Sequence, residues 1–175
     1  MAEILPEKWM RGVAITTTIL AVLTSIASSR ASYCVAQAQL MTALEGSKWA
    51  YYQAKSIKQA LAESQLKAFE VAILGSTNPE QKTLLQNDID DYQKNIERYN
   101  SEKESIKDEA EKVGKNNILI GRRGSQFSLA VVFFQIGIML SSVSALLKRK
   151  EMWMIGLVFG VIACIFLANA VFLFL

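Results

Sequence analysis

The segment Leu84–Val113, "LLQNDIDDYQKNIERYNSEKESIKDEAEKV", is where the fold is decided. Its apolar residues fall in a countable order. Leu85, Ile89, Tyr92, Ile96, Tyr99, Lys103, Ile106, Ala110 and Val113 step by four and three without a slip. Only Lys103 is polar. A 3.5-residue repeat of this kind is the seam of a coiled coil. Acids precede bases by four residues at Asp90–Lys94, Asp108–Lys112 and Glu111–Lys115, as they do at Glu63–Lys67. Such pairs belong to solvated helix faces. The acidic cluster Asn87–Asp91 lacks the glycine turn and the late Glu of a calcium loop, and Ile89 inside it is a seam residue.

Immediately upstream, "GSTNP" at Gly75–Pro79 marks a sharp boundary. Gly75 suits a helix C-terminus, Thr77 or Asn78 an N-cap, and Pro79 the first helical turn. The helix before that boundary has a smaller stripe of the same spacing. It contains Leu40, Ala43, Ser47, Ala50, Ala54, Ile57, Leu61, Ser64, Ala68 and Val71. Folding the two segments back on each other, with paired numbers summing to 153, matches every layer. Ile96 then faces Ile57, Tyr92 faces Leu61, Tyr99 faces Ala54 and Ile89 faces Ser64. Large residues mostly meet small ones, which fills layers without voids. The predicted seam therefore includes Ala54, Ile57, Leu61, Leu85, Ile89, Tyr92, Ile96, Tyr99 and Ile106. The first stripe also continues backwards through Ile15, Ile19, Val22, Ile26, Ser29, Tyr33 and Ala36, which predicts one helix from the N-terminal region to the turn.

Outside this polar middle the chain is strongly apolar. Gly12–Ser29, Ser125–Leu147 and Met152–Leu175 hold almost no charge and are 18, 23 and 24 residues long. A bilayer-spanning helix takes about 20 residues. The first run is short and rich in Thr and Ser. It reads as an anchor, with a cleaved signal peptide as the alternative. The predicted fold class is an all-α membrane protein with three transmembrane helices and a long antiparallel coiled-coil hairpin between the first and second. The predicted divisions are 1–29, 30–121 with its turn at 75–79, and 122–175. "GKNNILIGRRG" at 114–124 predicts a loosening of the helix before the second apolar run.

Composition removes several function classes. Of the 175 residues none is His, and the two cysteines, Cys34 and Cys164, show no metal or redox spacing. No acid/base pair, nucleophile or cofactor motif is present, so no catalytic, cofactor-binding or metal site is predicted. The net charge of +3 comes from bases interleaved with acids and gives no nucleic-acid stripe.

The aromatic stretch Ser47–Lys58, "SKWAYYQAKSIK", predicts a contact surface. With Ala54 and Ile57 turned into the seam, Trp49 and Tyr52 point outward, with Ser56 near them. The expected partner is a second copy of the chain. Gly156 and Gly160 form a GxxxG face on the last helix and are predicted to add a close helix contact. Arg122 and Arg123 are candidates for lipid headgroups. Lys148–Glu151 joins the last two helices, and short basic loops favour the cytoplasm. The hairpin is then periplasmic and the N-terminus cytoplasmic, in a bacterial inner membrane.

"WAYYQAKSIK" at Trp49–Lys58 together with "FFQIGIMLSSVSALLKRKEMW" at Phe133–Trp153 resembles a family of small bacterial membrane proteins known as domain of unknown function 4337. The resemblance covers nearly the whole chain. It implies the same order of anchor, hairpin and helical pair, and it implies no activity. The expected function is a self-assembling scaffold or a brace for a larger membrane complex. A homo-oligomeric pore is the alternative.

Overall fold

The computed structural model describes residues 8–172. They form three helices: α1, Lys8–Gly75; α2, Pro79–Leu147; and α3, Lys150–Phe172. All three are long and apolar enough to cross a membrane. Contacts divide the chain into two compact units. One comprises residues 1–39 and 117–175, the other residues 40–116.

The α1–α2 turn follows its sequence signals. Asn78 Oδ1 accepts the Glu80 amide at 3.0 Å, and the Asn78 carbonyl accepts the Lys82 amide at 3.1 Å. Asn78 is thus the N-cap and Pro79 the first helical residue, where a missing N–H costs nothing. The α2–α3 turn uses no glycine. Lys148 adopts φ 54°, Arg149 N–H reaches the Ser144 carbonyl at 3.2 Å, and Ser144 Oγ donates to the Arg149 carbonyl at 2.7 Å. Those bonds satisfy orphan carbonyls at the end of α2 and hold a left-handed lysine in place.

α2 does not loosen at 114–124. The three glycines there lie inside a continuous helix, and two of them serve close approach instead. A Cβ at Gly114 would lie 2.9 Å from the Glu45 carboxylate, and one at Gly124 would lie 3.1 Å from Cys34 Cβ. Gly121 has open space around it.

In the first unit, α1, α2 and α3 pack around Leu20, Ala27, Ala130, Phe134 and Ala163, with Phe134 wholly buried. Phe133 stacks on Phe159 and Phe166 at ring distances of 6.1 and 5.3 Å. Thr17, Thr18, Thr24 and Ser25 donate to carbonyls four residues back in α1, at 2.7–3.1 Å. Thr16 does the same at 2.9 Å and also accepts the Trp153 indole N–H at 3.0 Å. These five hydroxyls of the first apolar run are therefore satisfied within their own helix.

Candidate functional site

In the second unit the α2 positions Leu85, Tyr92, Ile96, Tyr99 and Lys103 are half-buried, and Ile89, Ile106 and Ala110 are buried. α1 meets them with a different face from the one its small apolar residues suggest. The covered α1 positions are Met41, Glu45, Lys48, Tyr52, Lys55, Gln59, Ala62, Leu66, Phe69 and Ile73, again stepping by four and three. Ala54, Ile57 and Leu61, expected in the seam, are exposed, with Ile57 69% and Leu61 61% accessible. Tyr92 packs on Phe69, ring centroids 5.4 Å apart, instead of on Leu61.

The physical reason has two parts. Long side chains such as Lys and Gln bury their stems while keeping their heads hydrated, so a face with few classical core residues can still be a packing face. Here it also answers the charges of α2. Lys48 pairs with Glu109 at 2.5 Å, Lys55 pairs with Glu102, and Lys103 donates to Gln59 Oε1 at 2.9 Å. The second part is direction. Side chains lean toward the N-terminus of their own helix. In an antiparallel pair the two leans are opposed, so touching residues have larger summed numbers than residues at one backbone level. Lys48 with Glu109 and Lys55 with Glu102 both sum to 157, not 153.

The aromatics of Ser47–Lys58 consequently lie elsewhere than expected. Tyr52 is half-buried on the α2-facing side, with the Lys103 ammonium 5.4 Å from its ring centre. Trp49 is half-buried and meets Tyr52 edge-on at 5.6 Å, and Ser56 is half-buried too. Tyr52 thus belongs to the packing within the helix pair, and Trp49 leans on it from the same helix. Gly156 and Gly160 are likewise consumed within the chain. A Cβ at Gly156 would lie 2.9 Å from the Gly137 carbonyl of α2, and one at Gly160 would lie 3.0 Å from Leu20 of α1. Arg122 and Arg123 are both exposed.

Lys55 sits at the centre of a small polar cluster, 5.4 Å from both the Tyr51 and Tyr99 rings. Its hydrogen bond to Glu102 is the leading cause that holds the Glu102 carboxyl below its ordinary value and lifts the Lys55 ammonium above its own; desolvation opposes both. Glu109 is held low chiefly by its hydrogen bond to Lys48. A depressed carboxyl contributes stability above the unfolded value, and that contribution is lost as pH falls through the folded value. The raised Lys55 acts in the opposite sense at the alkaline end, where its contribution is lost as pH rises through its folded value. The Glu102→Gln, Glu109→Gln double variant should therefore have a flatter stability profile below about pH 4, the unfolded Glu range. Thermal melts across pH 3–6 check this, and an acid limb identical to wild type would contradict it.

What this arrangement leaves uncovered is the α1 stripe itself. Leu40, Ala43, Ser47, Ala50, Ala54, Ile57, Leu61, Ser64, Ala68 and Val71 are all exposed, with Leu44 and Tyr51 exposed beside them. In the first unit, Ile15, Ile19, Val22, Ile26, Tyr33 and Ala36 are exposed as well. Among the described residues no group of three or more Cys, Asp or Glu is placed to hold a metal ion. The candidate site is this exposed row, apolar and linear.

No curated protein and no solved structure is significantly similar to the chain. A family model does match, over residues 9–173, taking in both "WAYYQAKSIK" and the "FFQIGIMLSSVSALLKRKEMW" segment. The chain belongs to the family described as domain of unknown function DUF4337.

Proposed function

We propose that the protein is an integral membrane scaffold that assembles with further copies of itself through the outer face of α1. The exposed 4–3 stripe over residues 40–71 carries this reading. An apolar row of that length in an otherwise charged segment is costly in water, at about 25 cal/mol for each Å² left uncovered. Its spacing is that of a helix seam, so a helix suits it better than a flat or concave partner.

Several features favour a second α1 as that helix. The same spacing runs on without a slip through Ile15–Ala36, so a partner that follows the stripe has the same period across an apolar run and a polar one. α1 of another copy has both. Copies inserted alike in one bilayer present α1 in parallel, which places Ile57 against Ile57 and Leu61 against Leu61. The positions flanking the stripe are Gln39, Leu44, Gly46, Tyr51, Gln53, Lys58, Ala60, Gln65, Lys67 and Ala72. In parallel register Lys58 faces Gln53 and Lys67 faces Ala72, so no like charges are opposed. With its flanks the stripe offers 20 residues per copy, within the range of roughly 20–30 a side for a stable interface.

The Lys148–Lys150 connection is the cytoplasmic side in this reading, in a bacterial inner membrane. The local bonding of the Thr and Ser hydroxyls in α1 favours a scaffold over a pore lined by that run. The test is the Ile57→Asp, Leu61→Asp double variant in mild detergent. Particle mass should fall to the monomer while helix content stays at the wild-type level. A particle of unchanged mass would overturn self-assembly through this face.

A further inference from the structure

We infer that the first unit holds a phosphate-bearing amphiphile in a cleft shared by α1, α2 and α3. The cleft has a volume of about 470 Å³, within the range of roughly 300–1,000 Å³ typical of small-molecule sites. Its lining combines two chemistries. Arg30 from α1 and Arg123 from α2 are cationic, and Tyr33 adds a hydroxyl. Ile26, Phe127, Leu167 and Val171 are apolar.

The two cations are uncompensated. No ion pair among the described residues uses Arg30 or Arg123, and the ion pairs present all lie in the polar second unit. A guanidinium cannot shed its charge, and its fork of N–H donors matches the oxygens of a phosphate. Two forks lining one cleft, from two helices, are a phosphate clamp. The Tyr33 oxygen already accepts the Gln37 amide at 3.3 Å, which leaves its proton to donate. The apolar lining is well formed, since Phe127 and the adjoining Ala170 are buried against Ala31, next to Arg30.

The placement of the two arginines in the chain indicates what is bound. Arg30 directly follows the apolar run Gly12–Ser29, and Arg123 lies two residues before the start of Ser125–Leu147. Residues at those junctions lie at headgroup depth when the runs span a bilayer, where basic side chains select anionic lipids. A headgroup phosphate seated between Arg30 and Arg123 sends its acyl chain along Phe127, Leu167 and Ile26. The sequence pairs Arg123 with its neighbour Arg122. The cleft pairs it with Arg30 instead, 93 positions earlier, and Arg122 does not line it.

Native mass spectrometry of the full chain in mild detergent tests this, with phosphatidylglycerol, phosphatidylcholine of the same chain length, and inorganic phosphate as separate probes. Phosphatidylglycerol should be retained over phosphatidylcholine. Arg30→Gln with Arg123→Gln should remove that preference, a loss of about thirtyfold if each cation contributes a factor of roughly five near an anionic surface. Arg30→Lys with Arg123→Lys keeps the charge, loses the fork and should fall between. Lys148→Gln with Lys150→Gln, away from the cleft, should leave the preference intact. Equal retention of the two lipids by the wild type, or a preference that survives the double glutamine variant, would overturn the site. Inorganic phosphate alone competing as strongly as the lipid would overturn its assignment to an amphiphile and assign the clamp to the free anion.

Discussion

A leucine at Gly137 is expected to unseat α3 from α2. The backbones of these helices touch at one point: a Cβ on Gly137 would lie 2.9 Å from the Gly156 carbonyl, and a Cβ on Gly156 would lie 2.9 Å from the Gly137 carbonyl. Neither obstacle is a side chain that can rotate away. Leu20 Cδ1, 3.4 Å from the same point, closes the remaining direction. Helix association in an apolar medium depends on such close approach, because lipid tails compete well for ordinary apolar surface. Overpacking of this kind typically costs about 1–3 kcal/mol, and more where backbone must move. Gly121→Leu is the control, since a Cβ there meets nothing within 4 Å and leucine is the better helix former. A melting temperature in detergent that falls for Gly137→Leu and holds or rises for Gly121→Leu is the expected pattern. Equal responses would mean that the contact does not hold the helices together.

The second large effect separates two isoleucines that look alike in the sequence. Ile106 is 7% exposed against α1, whereas Ile57 is 69% exposed on the outer face. Ile106→Asp forfeits about 1.5–3 kcal/mol of apolar burial and also places a carboxylate among apolar neighbours without a partner. The helix pair should melt well below wild type. Ile57→Asp puts the same charge into solvent, so the isolated chain should melt close to the wild-type monomer while losing its self-association. Comparable melting losses in monodisperse monomer would return Ile57 to the inner seam.

The contrast between these residues also shows what could be read in advance. The α2 face was legible because its repeat is carried by Ile, Tyr and Leu, large side chains with no other place to go. The turn was legible because Asn78 and Pro79 have few alternative roles. α1 carries two 4–3 repeats about two-fifths of a turn apart. One is small and apolar, and the other is built from Lys48, Tyr52, Lys55, Gln59 and Phe69. Counting apolar residues selects the first. Pairing the α2 acids Glu102 and Glu109 with lysines of α1 would have selected the second. Tyr52 then changes from an outer contact to an inner one without any change in the helix. The glycines at 114–124 were opaque for a similar reason: a glycine that permits close packing and one that breaks a helix are the same letter. The Arg30–Arg123 cleft needs the third dimension, since its two charges come from distant ends of the sequence.

Self-association through α1 is tested most directly by disulfide formation in native membranes, on a background in which Cys34 and Cys164, both free thiols, are replaced by serine. A single cysteine at position 57 should give a chain-to-chain dimer in high yield, as should one at position 61. A single cysteine at position 62, buried against α2, should give little. Strong crosslinking at 57 and 61 with weak crosslinking at 62 is the expected result. Yields at 57 and 61 no higher than at 62 would contradict assembly through the outer face of α1.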